Sequence, residues 1–239
     1  MNIKKSLPQL SWSKVNLFLQ CPRCFYKEQT LRMKRPGTDP DSFSLNNAID
    51  ILWKKEFDVY RDQQIPHPIM TKNNIEAIPF KNELFDNWRD YKAGGIRFVD
   101  SNNGLEFFGI IDEILINSDN ELIIIDYKAT AKKGKTILND SNKWLISNKR
   151  QMSFYAFLFK KHGYKVHSTG YFIYSIANND KPFFNQKLEF ESTVLSYELD
   201  DSWVEQIIQE IRICLNQPDA PRPAADCNFC KFNLNLRIH

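Results

Sequence analysis

The chain has 239 residues, 42% of them hydrophobic and 26% charged, and 18 phenylalanines sit within an aromatic fraction of 13%; these proportions suit a soluble globular protein with a sizeable core. No apolar run approaches the roughly 20 residues that span a bilayer, and the opening MNIKKSLPQLSW lacks the apolar stretch of a secretory leader, so a cytoplasmic location without a membrane partner is expected. A net charge of +3 neither demands nor excludes nucleic acid as a partner.

In chain order, Ser11 to Glu28 reads as a short helix capped by Ser11 or Ser13 and ending in CPRCFYKE. The Pro/Gly-rich stretch from Arg35 to Pro40 breaks the chain. Leu45, Ala48, Ile49, Leu52, Trp53, Phe57 and Tyr60 then recur at helical spacing, which predicts an amphipathic helix capped by Ser44. Residues 63–79 carry several prolines and read as an irregular connection, followed by a short helix around 82–91 and the Gly94-Gly95 break. The centre changes character. Leu105–Ile116 and Glu121–Lys128 are rich in Ile, Leu and Phe and are joined by the turn-forming Asn117-Ser118-Asp119-Asn120, the pattern of a β-hairpin. Leu122–Ile125 is apolar without alternation, as in a strand buried on both faces. A basic loop follows, then a helix over Gln151–His162 with Gly163 as its C-cap, strands over Val166–Ala177 and within Phe183–Leu199, a helix over 202–216, and a Pro-rich tail containing CNFC. That order predicts an α/β or α+β fold, a mixed central sheet flanked by helices. It is expected to form a single domain over 1–239, with a helical part at 11–60, the chemical core at 105–177 and a cysteine-bearing tail at 218–239.

The chemistry concentrates at Asp112 and at Asp126-Tyr127-Lys128. Charged groups at the end of an apolar strand are costly to bury unless they are paired or metal-bound. Residues i and i+2 of a strand share a face, so Asp126 and Lys128 do. Asp112 joins that face only if it lies opposite Asp126, and that register puts Asn117 opposite Glu121 across a three-residue loop, Ser118–Asn120. An odd-length loop or a bulge near Asp112 is therefore predicted. Two carboxylates converging in this way can hold Mg²⁺ or Mn²⁺, and Lys128 can orient water or stabilise developing negative charge. The alternative is a surface hairpin whose Asp and Lys form a salt bridge.

Two further clusters stand out. Lys132, Lys133, Lys135, Lys143, Lys149 and Arg150 lie close together with one acid, Asp140, between them; they form either a stretch that meets a phosphate backbone or a solvated loop. Four of the five cysteines form two CxxC pairs, Cys21/Cys24 and Cys227/Cys230. Four thiolates can bind zinc or an iron–sulfur cluster, whereas Cys214 falls on the apolar face of a helix and reads as core.

The pattern Gly109-x-x-Asp112, then Asp126-x-Lys128, then Gln151-x-x-x-Tyr155 on a helix resembles that of the PD-(D/E)XK nucleases, in particular their RecB-like and CRISPR-associated exonuclease branch. Ser11-x-Ser13 followed by Cys21-Pro22-Arg23 resembles the opening of that group, and the likeness runs diffusely over residues 11–231. The resemblance implies a restriction-endonuclease-like core and a Mg²⁺- or Mn²⁺-dependent deoxyribonuclease. Asp112, Asp126, Lys128, Gln151 and Tyr155 would be its catalytic set, the last two contacting the DNA backbone or supporting the lysine. Metal ligands would be Asp112, Asp126 and the backbone carbonyl of Tyr127. Where many relatives carry a histidine ligand this chain has Asp50, either a third oxygen ligand or a solvated acid. Lys132, Lys133, Lys135, Lys149 and Arg150 would meet the nucleic acid. The resemblance also implies a [4Fe–4S] cluster joining the two ends of the chain, with zinc as the alternative, although relatives usually carry one cysteine plus three rather than two pairs. The expected partner is DNA, single-stranded or at duplex ends, with a helicase or a defence or repair complex beside it. An inactive nucleic-acid-binding module of the same fold is the alternative function.

Overall fold

The computed structural model describes residues 7–33, 35, 44–131 and 143–235, with side chains to 232. Lys132, Lys133 and Lys135 lie outside the described residues. In chain order the elements are β1 (Gln9–Ser11), α1 (Trp12–Gln20), α2 (Pro22–Gln29), α3 (Ser44–Gln63), α4 (Pro68–Lys72), β2 (Ala77–Pro79), α5 (Phe85–Arg89), β3 (Ile96–Asp100), β4 (Leu105–Gly109), β5 (Glu113–Asn117), β6 (Leu122–Thr130), α6 (Lys143–Lys161), β7 (Thr169–Ala177), β8 (Phe190–Glu198), α7 (Val204–Asn216) and α8 (Asn228–Asn235). The fold is mixed α/β, as expected, and its residues group into two compact units.

One unit gathers residues 1–40, 97–108 and 202–239. Its small sheet has the order β1-β4-β3, with β1 parallel to β4. The N-terminal helix expected over 11–28 is two helices. Cys21 is extended (φ −164°) and Pro22 starts α2 at a position where a missing N–H costs nothing. Phe18 and Phe25 meet edge to face at 5.3 Å across that break. Ser11 precedes α1 without a side-chain capping bond. The buried face of α7 consists of Val204, Ile208, Ile211 and Cys214.

The other unit gathers residues 41–96 and 109–201 around a five-stranded mixed sheet of order β2-β5-β6-β7-β8. The pair β6–β7 is parallel and its neighbours are antiparallel; a parallel pair needs a crossover, and α6 lies within it. One face of the sheet carries Leu115, Ile123, Ile125, Tyr127 and Ile173, packed with Phe57 of α3 and Met70 of α4. Behind Trp53 and Phe57 the buried His67 ring stacks on Phe57 at 4.2 Å, and its Nδ1 accepts the Ile69 N–H at the start of α4.

Four further expectations change. Residues 105–116 form not one strand but two, β4 and β5, in different sheets, with Ile110–Asp112 between them. The helix expected from Gln151 begins at Lys143, so Lys143, Lys149 and Arg150 are helical. The apolar stripe of α3 is buried only in part: Phe57 is buried and Ile49, Trp53 and Tyr60 are half-buried, whereas Leu45, Ala48 and Leu52 are exposed, and Arg61 is buried one turn beyond Phe57. Arg61 has a charged partner on the sheet. Glu113, fully buried, ion-pairs with Arg61, which also bonds the Phe80 carbonyl and pairs with Asp58. The region expected to be irregular, 63–79, contains α4 and the edge strand β2.

Candidate active site

The site is built at the junction of β5 and β6. Their ladder pairs Glu113 with Ile125, Ile114 with Ile124, Leu115 with Ile123 and Ile116 with Leu122. Continuing that count brings Asp112 level with Asp126 and Asn117 level with Glu121. The loop is therefore the three-residue Ser118–Asn120, closed by the Asn117 N–H on the Glu121 carbonyl (3.2 Å), with Asn120 left-handed at φ +58°. Asparagine tolerates that backbone region better than most residues. The register is the one the acid pair requires.

Asp112 sits just outside the strand, where its Oδ2 accepts the backbone N–H of Tyr127 at 3.0 Å. This bond ties the first acid to the second strand. Asp126 is 2% exposed and ion-pairs with Lys128 two residues on. Burial pushes the Asp126 carboxyl up to about 7; the Lys128 charge opposes the shift, and the charges of Asp112 and Asp50 add to it. Burial works against the charge of Lys128, but the carboxylates of Asp126 and Asp112 outweigh it and hold the ammonium above its usual range.

From α3, Asp50 faces the same cleft. Burial, then the Asp112 charge, raises its pKa, against the pull of Lys54. Lys54 is one helical turn further on, and its Nζ lies 2.8 Å from Asp50 Oδ2 and 3.6 Å from Asp112 Oδ1. Sequence reasoning missed this lysine. Its signal was the i,i+4 spacing from Asp50, which puts both on one helix face.

From α6, Gln151 lines the cleft and its Nε2 donates to the Tyr155 hydroxyl at 2.8 Å. Tyr155 is buried and bonds the backbone of Ile110. Its ring lies against Gly109, where a Cβ would come within 2.6 Å of Cε1. The glycine of Gly-x-x-Asp is thus the seat of the tyrosine of Gln-x-x-x-Tyr, and together they fix the segment that carries Asp112. Trp144, half exposed, lines the cleft as well. Lys149 does not; its Nζ lies 5.2 Å over the Tyr197 ring of β8. Arg150 is exposed and also lies outside the lining. The cleft measures about 300 Å³ and brings together Asp50, Asp112, Asp126, Lys128 and Gln151, with Tyr127 at its wall.

The four cysteines meet in the other unit. Each CxxC places its first cysteine just before a helix and its second in the first turn, in α2 and in α8. All four Sγ atoms lie within 4.8 Å of one another, with Cys24 3.6 Å from Cys227 and 3.5 Å from Cys230, and Cys21 3.9 Å from Cys230. Burial opposes ionisation of Cys21, but bonds from the backbone of Ala224 and Cys24 and from the Cys227 and Cys24 thiols bring it down to about 7. Burial, then the Cys230, Cys227 and Cys21 thiols, push Cys24 up. With its four sulfurs this close together, the cluster is suited to hold a metal. Cys214 stays apart in the core, and burial lifts its thiol to about 11.

No helix among the described residues is long and apolar enough to cross a membrane. No curated protein sequence matches the chain. Among solved structures the chain is similar to one described as the crystal structure of SSO0001, at 14% identity over 98% of this chain and 87% of that one, with a TM-score of 0.35. The family model of the PD-(D/E)XK nuclease superfamily matches residues 44–233, a span that holds Asp50, Asp112, Asp126, Lys128, Gln151 and Tyr155. The chain belongs to the PD-(D/E)XK nuclease superfamily.

Proposed function

We propose that the chain is a divalent-metal-dependent nuclease that hydrolyses phosphodiester bonds in DNA. We place it in the RecB-like or CRISPR-associated exonuclease branch, acting beside a helicase or within a repair, recombination or defence complex in the cytoplasm. The observation that carries this reading is the convergence of three carboxylates and the Lys128 ammonium on one cleft.

The donors fit a hard cation. Asp50, Asp112 and Asp126 offer carboxylate oxygens and Tyr127 a backbone carbonyl, the set that Mg²⁺ and Mn²⁺ take. Asp126 Oδ2 is buried, and no well-directed hydrogen bond reaches it among the described residues; its compensation is the Lys128 charge. When bound, such an ion lowers the pKa of a coordinated water and offsets charge growing on the phosphate oxygens. Lys128 is placed to hydrogen-bond the attacking water or a phosphate oxygen. Gln151, oriented by Tyr155, positions the backbone of the substrate. Trp144 offers a face on which a base can stack. Lys149 and Arg150, with Lys132, Lys133 and Lys135, are assigned to phosphates along the strand.

The test is cleavage of end-labelled single- and double-stranded DNA with Mg²⁺ or Mn²⁺, comparing the wild type with Lys128→Ala. We expect metal-dependent cutting that falls by about 100-fold or more in the variant. A metal-replete wild type that binds DNA and never cuts it refutes the enzyme and leaves a binding module.

For the cysteines we propose one tetrahedral ion, zinc, instead of the [4Fe–4S] centre that the resemblance implies. Four thiolates about 2.3 Å from one ion lie about 3.8 Å apart, close to the 3.5–3.9 Å observed between three of the pairs. A cubane interposes iron and sulfide corners between its cysteines and needs a wider cage. Metal analysis of the purified protein should find one zinc per chain and no visible absorbance; stoichiometric iron with a brown colour overturns this assignment.

A further inference from the structure

Lys54 is a second half-buried ammonium in a cleft that already has one. Lys128 is committed to Asp126. Lys54 instead spans the other two acids, 2.8 Å from Asp50 and 3.6 Å from Asp112, with only 19% of its side chain exposed. Asp112 cannot simply turn away, because its other oxygen is held by the Tyr127 N–H. Asp50 and Lys54 are one turn apart on α3, so the helix fixes their spacing.

The charge balance follows. With all three carboxylates ionised against two ammoniums the cleft carries one negative charge, so once one divalent ion is bound a second would meet a net positive site. Where two ions act together in phosphodiester chemistry they sit about 3.5–4 Å apart and share carboxylates. In this cleft the space between Asp50 and Asp112 is filled by an ammonium.

We propose that Lys54 stands in for a second metal ion, so that the site takes a single divalent cation and Lys54 holds Asp50 and Asp112 in place around it. This rests on the nuclease reading and deepens it by fixing the metal stoichiometry. Lys54 acts through the two acids and is therefore a positioning residue, not a catalytic one.

The experiment is titration of the full-length protein with Mn²⁺, its cysteine site already loaded, followed by calorimetry and by the electron paramagnetic resonance of free Mn²⁺. Wild type, Lys54→Met and Lys54→Arg are compared, and circular dichroism checks that each is folded. The wild type is expected to bind one Mn²⁺ in the cleft. Lys54→Met removes a positive charge a few ångströms away and should bind the first ion about tenfold more tightly and accept a second. Lys54→Arg keeps the charge and should stay at one. Two ions in the wild type overturn the proposal, as does a Lys54→Met variant that binds one ion with unchanged or weaker affinity. If no folded variant binds Mn²⁺, the metal-dependent nuclease itself is refuted, an outcome distinct from either of those.

Discussion

Asp126 is a carboxylic acid whose proton is held near neutral pH. Burial raises its pKa to about 7, and the opposing charge of Lys128 does not undo the shift. The sign has two consequences. In the metal-free protein the folded-state pKa lies above the unfolded value, so the stability this group contributes is complete below about pH 4 and is lost as pH rises towards 7. A cation, in contrast, must displace that proton. Its apparent affinity should rise about tenfold per pH unit below 7 and level off above it, which Mn²⁺ titrations between pH 6 and 8.5 will show. An affinity flat across that window means that no proton is displaced from Asp126 on binding. Gly109 yields a second prediction at this scale. Gly109→Ala drives a methyl group into the Tyr155 ring and should cost about 1–3 kcal/mol in urea unfolding, the range for overpacked sites. Trimming the ring in Gly109→Ala/Tyr155→Leu should recover part of that loss if the clash is its source. Sequence alone revealed Asp126 and Lys128, because charges two residues apart at the end of an apolar strand are costly to bury unless they pair or bind an ion. It did not reveal Lys54, since a lysine among helix polar residues has the same pattern whether it faces solvent or two acids.

Among the elements, α3 and β5 are joined by Arg61 and the fully buried Glu113, whose pKa burial raises against the pull of Arg61. Breaking such a pair by removing one partner leaves an uncompensated charge, so Arg61→Met should destabilise by about 3–5 kcal/mol. Arg61→Met/Glu113→Leu, which removes both charges, should recover most of that in the same denaturation experiment. The pair also buries an arginine that the hydrophobic pattern of α3 does not nominate. Hydrophobic spacing nominates Leu45, Ala48 and Leu52 for the interior along with Trp53 and Phe57; the first three are exposed, and the burial of Arg61 is set by a sheet residue 52 positions away. The β5–β6 hairpin was legible for the opposite reason. Parity along a strand is a local property, and requiring both acids on one face left an odd loop or a bulge near Asp112. The division of residues 105–116 between two sheets was not legible, because it is decided by pairing with β1, which lies about a hundred residues upstream.

For the whole molecule, the cysteine centre joins positions 203 residues apart from Cys24 to Cys227. In the chain-entropy picture a cross-link closing a loop of that length stabilises by about 5 kcal/mol, and a thiolate-held ion serves the same end. Stripping it with a chelator should lower the thermal midpoint and open the Pro-rich 217–226 segment to limited proteolysis, while Cys214→Ser, outside the cluster, should leave metal content unchanged. Retention of the midpoint after complete metal removal contradicts a structural role for the ion. The two CxxC pairs were visible as a candidate metal site from the start; what sequence could not supply was the sulfur-to-sulfur spacing, on which the zinc proposal rests.

The two edges of the five-stranded sheet are unequal. β2 is three residues long and ends at Pro79, which has no N–H to offer another strand, whereas β8 runs for nine residues at the opposite side. Growth by strand addition needs two receptive borders, so that each incoming copy presents a fresh one. With one border blunted, two copies that met through β8 would exhaust each other's capacity to pair, and the sheet could double but not polymerise.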